Sequence, residues 1–236
     1  MEAIILAGGL GTRLSSVVPS LPKPMAPIKG KPFLSYLFDY WLSQGVKHFI
    51  LSVGYKHEVI SAHFGTKYRD TDINYSIEDE ALGTGGGLLL AIKKLRTKDP
   101  FLLLNGDTFF ALNLNNLLEY HKNCKPDMTV SLVKIKQNKR YSGVLLNNHG
   151  LISSINAPTN SSKNGMANGG VYIIESELFS KYQKYEPKKC SLEEELLPQL
   201  LIQKKRIAGF TSKNSFIDIG IPHDYNLAAD ILSQYI

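Results

Sequence analysis

The sequence predicts an α/β protein, on three observations. Two short runs, Ala3-Ile4-Ile5-Leu6 and Phe101-Leu102-Leu103-Leu104, are apolar at every position, as strands covered on both faces are. Between them, Phe33, Leu34, Leu37, Phe38, Trp41 and Leu42 recur at three- and four-residue spacing, one apolar face of a helix. Directly after the first run comes a glycine-rich stretch, Leu6-Ala7-Gly8-Gly9-Leu10-Gly11-Thr12-Arg13-Leu14, where the backbone can turn sharply out of a strand.

The elements follow in order. Gly30-Lys31-Pro32 is a turn with a proline placed for a helix start, and the aromatic helix after it ends at Gly45. Phe49–Val53 is the second strand, Lys56–Phe64 a helix, and Ile73–Ile77 the third strand by its alternation. A second glycine-rich turn, Glu78 to Gly87, opens a helix carrying Leu88, Leu89, Ala91, Ile92 and Leu95. The run Phe101–Leu104 ends in Asn105-Gly106-Asp107-Thr108, Leu114–His121 is a helix, and Met128–Val133 a strand. From Arg140 the pattern changes to short strands of a mixed sheet, 141–146, 151–155 and 169–174, with a hairpin turn at 147–150. Pro158–Gly165 is polar and reads as a surface loop over the site. Ser191 with Glu194 three residues on is a capping box, starting a helix with Leu192, Leu196, Leu197, Leu200 and Leu201 inward. Arg206–Phe210 is a strand, Phe216–Asp218 another, and Pro222 opens the last helix.

Composition bounds the function. The 236 residues are 43% hydrophobic and 20% charged, enough for a sizeable core. A net charge of +6 suits small anionic ligands as readily as nucleic acid. There is no aromatic–basic interleaving and no groove-reading motif, which argues against nucleic acid. Cys124 and Cys190 lack metal spacing and read as free thiols. With no apolar stretch near ~18 residues and no leader pattern, a soluble cytoplasmic protein without a membrane partner is expected. A homo-oligomer is compatible with all of this. His57, His63 and His149 read as surface or turn residues, since none has a partner at ligand spacing.

The chemistry concentrates at strand ends. Backbone N–H groups of the Gly8–Gly11 turn can form a concave anion site, and Arg13 adds a fork suited to phosphate oxygens. Lys23 lies between Pro22 and Pro24, which should hold it extended. The alternative is a plain strand-to-helix turn with a solvated arginine. A dinucleotide fingerprint is disfavoured, because Leu14 stands where the third glycine belongs, and with it a dehydrogenase. A Walker loop fails because Gly11-Thr12-Arg13 lacks the Gly-Lys-Ser/Thr ending. Asp107 ends an apolar strand, where ligands of open α/β sheets collect. It suits Mg²⁺, or it is a solvent-facing turn residue.

Leu-Ala-Gly-Gly-x-Gly-Thr-Arg-Leu with Pro22-Lys23-Pro24-Met25 resembles the signature of the sugar-1-phosphate nucleotidylyltransferases. Three further landmarks match in order: Glu78-x-x-x-Leu82-Gly83-Thr84-Gly85-Gly86, Asn105-Gly106-Asp107, and Phe216-Ile217-Asp218-Ile219-Gly220 with Pro222, Asp224 and Tyr225. The resemblance covers nearly the whole chain, most closely the heptose 1-phosphate guanylyltransferase branch. It implies a Rossmann-like mixed, mostly parallel sheet flanked by helices. It implies one domain over 1–236, with a nucleotide part roughly 1–135 and a sugar part roughly 136–236.

The resemblance also implies roles. Leu6, Ala7, Gly8, Gly9, Gly11, Thr12, Arg13, Lys23, Glu78, Gly83, Thr84, Asn105 and Gly106 would bind the nucleotide. Arg13, Lys23 and Asp107 would be catalytic, and Asp107 and Asp218 would hold Mg²⁺. Glu78 would meet the base, or it caps the following helix. Gly143, Asn168 and Gly169 match sugar contacts. The family's Glu-Lys pair before the Asn-x-Gly segment is replaced by Asn156-Ala157-Pro158, which makes Lys163 and Arg140 the candidates for the sugar phosphate. The implied reaction joins GTP, or another NTP, to a sugar 1-phosphate for surface glycan synthesis. D-glycero-α-D-manno-heptose 1-phosphate is favoured. Alternatives are uridylyl transfer to N-acetylmuramate or hexose 1-phosphate, guanylyl transfer to mannose 1-phosphate, and a non-catalytic sugar-nucleotide-binding domain.

Overall fold

The computed structural model describes all residues except 10, 15–16, 136–142, 158–164, 183–185 and 236, and the backbone alone at 12, 135 and 157. Its elements are β1 (Glu2–Leu6), β2 (Pro27–Ile28), β3 (Lys31–Pro32), α1 (Phe33–Ser43), β4 (His48–Val53), α2 (His57–Phe64), β5 (Lys67–Tyr68), β6 (Thr71–Ile77) and α3 (Gly83–Ala91). There follow β7 (Phe101–Asn105), β8 (Thr108–Phe110), α4 (Leu114–Cys124), β9 (Met128–Ile135), β10 (Gly143–Leu146), β11 (Ile152–Ala157) and β12 (Gly165–Ile174). The last are α5 (Leu197–Ile202), β13 (Ile207–Ser212), β14 (Phe216–Asp218) and α6 (Pro222–Leu232).

The sheet is mixed with a parallel centre, as expected. β1 pairs in parallel with β4 on one side and β7 on the other, and β4 with β6. Successive side chains of these strands enter different cores. Ala3 and Ile5 join Phe33, Phe38 and Trp41 of α1, while Ile4 joins Leu88 and Ala91 of α3. Both faces are covered, so the strand centres are apolar apart from hydrogen-bonding residues such as Glu2, His48 and Ser52, and each large apolar side chain contributes roughly 1.5–3 kcal/mol by burial. The far half turns antiparallel: β12 runs against β7, β9 and β10, and β13 lies parallel to β9. The ladder of β12 on β9 breaks between Asn168 and Tyr172. Gly170 has φ +73° there, a bend open to glycine at no steric cost.

Four local expectations are corrected. Lys23 is not extended: Lys23–Met25 form a 3₁₀ turn, with Met25 N donating to Pro22 O at 2.8 Å. Pro24 sits early in that turn, where its missing N–H leaves nothing unpaired. The second glycine stretch is a turn only as far as Leu82, and Gly83–Gly87 are already the first turns of α3. The segment around Cys190 lies across those turns, so Gly85 N and Gly86 N donate to Cys190 O at 3.0 and 3.2 Å. A Cβ on Gly83 would stand 2.7 Å from Cys190 O, and one on Gly86 2.7 Å from Lys188 O. Helix propensity yields here to close packing. The helix after Ser191 opens as a π-turn, Leu192–Leu196, before α5. In the capping box, Ser191 Oγ accepts from Glu194 N at 3.1 Å, but Ser191 N donates to Glu195, not Glu194, at 2.9 Å. The wider turn brings the next residue round. Of the loop expected over Pro158–Gly165, residues 158–164 lie outside the described residues and Gly165 begins β12.

Candidate active site

The site forms where the parallel strands end. β1 delivers the glycine loop, β6 delivers Glu78, and β7 delivers Asn105 and Asp107. Ala7 N donates to Ser52 O at 2.7 Å, which anchors the loop to β4. The loop then crosses Glu78 so closely that a Cβ on Gly8 would lie 2.7 Å from Glu78 Oε1. Gly11, at φ +64°, stacks on Lys23, and Arg13 follows in a 3₁₀ turn.

Two cavities meet there. The first, about 440 Å³, is lined by Leu6, Ala7, Gly8, Gly9, Gly11, Arg13, Lys23, Glu78, Gly83, Thr84, Asn105, Gly106 and Asp107. All of these are residues the sequence proposes for the nucleotide or the chemistry. Of that proposal only Thr12 is missing, its side chain lying outside the described residues. Three lining residues were not foreseen: Pro24, Ala81 and Lys189. The second cavity, about 370 Å³, shares Arg13, Asn105 and Asp107 with the first. It continues past Thr108, Asn156, Asn168, Glu193, Glu194 and Asp218. Volumes of this order are those of small-molecule sites.

At the junction, Lys23 Nζ pairs with Asp107 Oδ2 at 2.5 Å, with the lysine side chain 12% exposed. Asp107 and Asp218 are brought together across a two-stranded ladder. β14 runs antiparallel to β8 with Asp218 opposite Thr108, and Ile219 N donates to Asp107 O at 3.0 Å. Asp218 Oδ1 accepts from Gly220 N at 2.7 Å, which fixes its carboxylate. Two hard oxygen donors on one cavity wall, beside a candidate phosphate site, fit Mg²⁺, which takes one or two carboxylates plus phosphate oxygens and water. Among the described residues no cluster of three or more His, Cys, Asp or Glu forms a metal cage.

Glu78 lines the first cavity while its carboxylate accepts from Ser52 Oγ at 3.0 Å and Leu82 N at 2.9 Å. It therefore holds the approach to α3 and also faces the cavity. On the sugar side, Asn168 lines the second cavity, but Gly143 and Gly169 do not. Gly143 is buried in the ladder between β11 and β12, and the open side of Gly169 is filled by the Phe110 ring, 2.6 Å from where a Cβ would stand. Arg140 and Lys163 lie outside the described residues. Sequence reasoning missed Lys189 and Glu193, which reach the site from a segment whose one motif, the Ser191–Glu194 capping box, marks a helix start and not a site. The buried Tyr172 hydroxyl donates to Glu193 Oε1 at 3.3 Å. Burial, and then the Glu193 carboxylate, push its pKa well above the usual tyrosine value.

The chain belongs to the nucleotidyl transferase family, whose sequence profile matches residues 2–234. It is 46% identical over 236 residues, all of both chains, to the D-glycero-alpha-D-manno-heptose 1-phosphate guanylyltransferase of Aneurinibacillus thermoaerophilus. It is 41% identical over 95% of its length to the enzyme of the same name from Campylobacter jejuni, covering 97% of that chain. The solved structure of HddC from Yersinia pseudotuberculosis complexed with GMP-PN superposes with a TM-score of 0.83 at 35% identity, covering 97% of this chain and 98% of that one. The chain is thus an enzyme of the transferase class. Among the described residues no helix is long and apolar enough to cross a membrane.

Proposed function

We propose that this protein transfers GMP from GTP to D-glycero-α-D-manno-heptose 1-phosphate, releasing pyrophosphate and giving the GDP-heptose. The observation that carries the reading is the junction: two cavities of ligand size share Arg13, Asn105 and Asp107. A nucleotide in the first and a sugar 1-phosphate in the second would bring their phosphates together at those residues. The 46% and 41% identical guanylyltransferases support the choice of base and sugar.

In the proposed reaction a phosphate oxygen of the sugar attacks the α-phosphorus. A new P–O bond forms, the α–β bridge breaks, and pyrophosphate carries away the electron pair. No protein nucleophile is required, so the protein's work is positioning and charge neutralisation. Arg13 and Lys23 offset the repulsion between two anions, and the Gly8–Gly11 amides face phosphate oxygens. Asp107 and Asp218 would hold Mg²⁺, which when bound neutralises charge on the phosphates. Glu78 would select guanine, accepting from N1–H and the N2 amino group, where uracil offers a single ring N–H. The product is an activated sugar for capsule or lipopolysaccharide synthesis, made in the cytoplasm.

The test crosses four NTPs with mannose-, heptose-, glucose- and N-acetylhexosamine-type 1-phosphates and reads pyrophosphate release. GTP with the heptose phosphate should be fastest, with activity abolished by EDTA and restored by Mg²⁺. Faster turnover of UTP with a hexose or muramate phosphate would overturn the assignment. Glu78→Gln should lower the preference for GTP over UTP by at least about ten-fold, the value of a hydrogen bond to a charged acceptor.

A further inference from the structure

The second cavity contains a carboxylate that neither phosphate transfer nor the aspartate pair uses. Glu193 lies in the π-turn after Ser191 and lines the wall with Asn156 and Asn168. Its Oε2 accepts from Thr84 Oγ1 at 2.7 Å, and its Oε1 from Tyr172 OH at 3.3 Å. Its main-chain carbonyl accepts from Asn156 Nδ2 at 3.3 Å. Thr84 in turn accepts from Leu192 N at 2.8 Å, so the start of α3 and the π-turn are laced together. Thr84 and Tyr172, from segments far apart in sequence, thus hold one acidic side chain at a cavity wall, and Asn156 holds its main chain.

Holding a charge there is costly unless its lone pairs are used. An ionised carboxylate offers about four acceptor positions and no donor. The Thr84 and Tyr172 hydroxyls and, at 3.4 Å, the Ser191 hydroxyl occupy three, leaving acceptor capacity for one ligand hydroxyl. A carboxylate that only accepts selects O–H donors and repels phosphate. Arg13, shared with the nucleotide cavity, attracts phosphate. The two together dictate one orientation for a sugar 1-phosphate: a hydroxyl against Glu193, phosphate toward the junction.

We propose that Glu193 is a sugar-binding residue, accepting a hydroxyl hydrogen bond and orienting the sugar 1-phosphate for attack. The proposal rests on the reading that the second cavity takes the sugar. Calorimetric titration with GDP-mannose and GDP in the presence of Mg²⁺ tests it directly. Wild-type protein should bind GDP-mannose more tightly than GDP. Glu193→Gln should lose about ten-fold in GDP-mannose affinity, the scale of a charge-assisted hydrogen bond, and keep GDP affinity within about two-fold. Glu193→Asp should fall between the two and guards against a variant that does not fold. In steady state the KM for the sugar 1-phosphate should rise, with the KM for GTP unchanged. Equal losses for GDP and GDP-mannose would reduce Glu193 to a brace for Thr84 and overturn the proposal, as would no loss for either. If wild-type protein binds GDP-mannose but releases no pyrophosphate with any sugar 1-phosphate, the proposed reaction fails, and the titrations still decide the role of Glu193.

Discussion

Lys23 and Asp107 meet at 2.5 Å from positions 84 residues apart, and both face the cavity junction. Removing one preorganised charge of this kind costs on the order of 10²–10³ in rate. Asp107→Asn and Lys23→Met should each lower kcat/KM by about that factor. Because the two side chains touch, the double variant should lose far less than the product of the single losses; strict additivity in rate assays would mean that the pair does not act as a unit. A second residue-scale device sits at the opposite end of β1. Glu2 is 7% exposed. Burial works against its charge, but His48, the Arg96 and Thr97 amides and the Thr97 hydroxyl outweigh it and hold the carboxyl below its ordinary value of 4.5. A depressed folded-state pKa contributes stability that is present above the unfolded value and is lost as pH falls through the folded one. Denaturant midpoints should therefore fall as pH drops below 4.5, and Glu2→Gln should flatten that fall. Arg13, Lys23, Glu78 and Asp107 were legible because each sits in or beside a glycine or proline pattern with its own local physics. Lys189, Glu193 and the buried His48 carry no such mark.

At the scale of elements, α3 shows propensity losing to packing. Gly86→Ala should gain about 1 kcal/mol of helix propensity, yet its methyl would stand 2.7 Å from the Lys188 carbonyl, a backbone atom. Overpacking against backbone costs roughly 1–3 kcal/mol or more, so the clash wins. The variant should have a lower denaturant midpoint and weaker GDP binding. Gly9 is the contrast: a Cβ there meets nothing within 4 Å and φ is not positive. Gly9→Ala should leave stability within about 0.5 kcal/mol, and a large loss would contradict the loop geometry. The strands of the parallel centre were legible because burial on both faces forces continuous apolar runs. The π-turn at Leu192–Leu196 was not, because the same Ser-x-x-Glu spacing serves an ordinary helix start equally well.

For the whole molecule, the first cavity lies at the ends of the parallel strands and the second runs on beside the antiparallel flank and the β8–β14 ladder. Their walls draw on β1, Glu78 just past β6, β7, β11, β12, β14 and the segment at 189–194. A ligand there bridges parts that must separate on unfolding. At about 100 times its Kd, a ligand specific to the folded state adds ~2.7 kcal/mol, or roughly 5–10 °C in Tm for a chain of this size. GDP with Mg²⁺ should raise Tm by that amount under such saturation, and ADP at the same concentration by much less. Equal shifts would remove the base selectivity assigned to Glu78.

Sequence alone determined the class: a parallel α/β centre, a glycine loop at the end of its first strand, and four motifs in the order of one enzyme family. Those features are local, written in apolar runs and in glycines or prolines whose backbone limits need no distant partner. Tertiary structure decided what closes the site. It put Asp218 beside Asp107 through the β8–β14 ladder, laid the Cys190 segment over α3, and aimed Glu193 and Lys189 into the cavities. These placements depend on packing between segments a hundred or so residues apart, and no periodicity in a single segment encodes which distant surface it will meet.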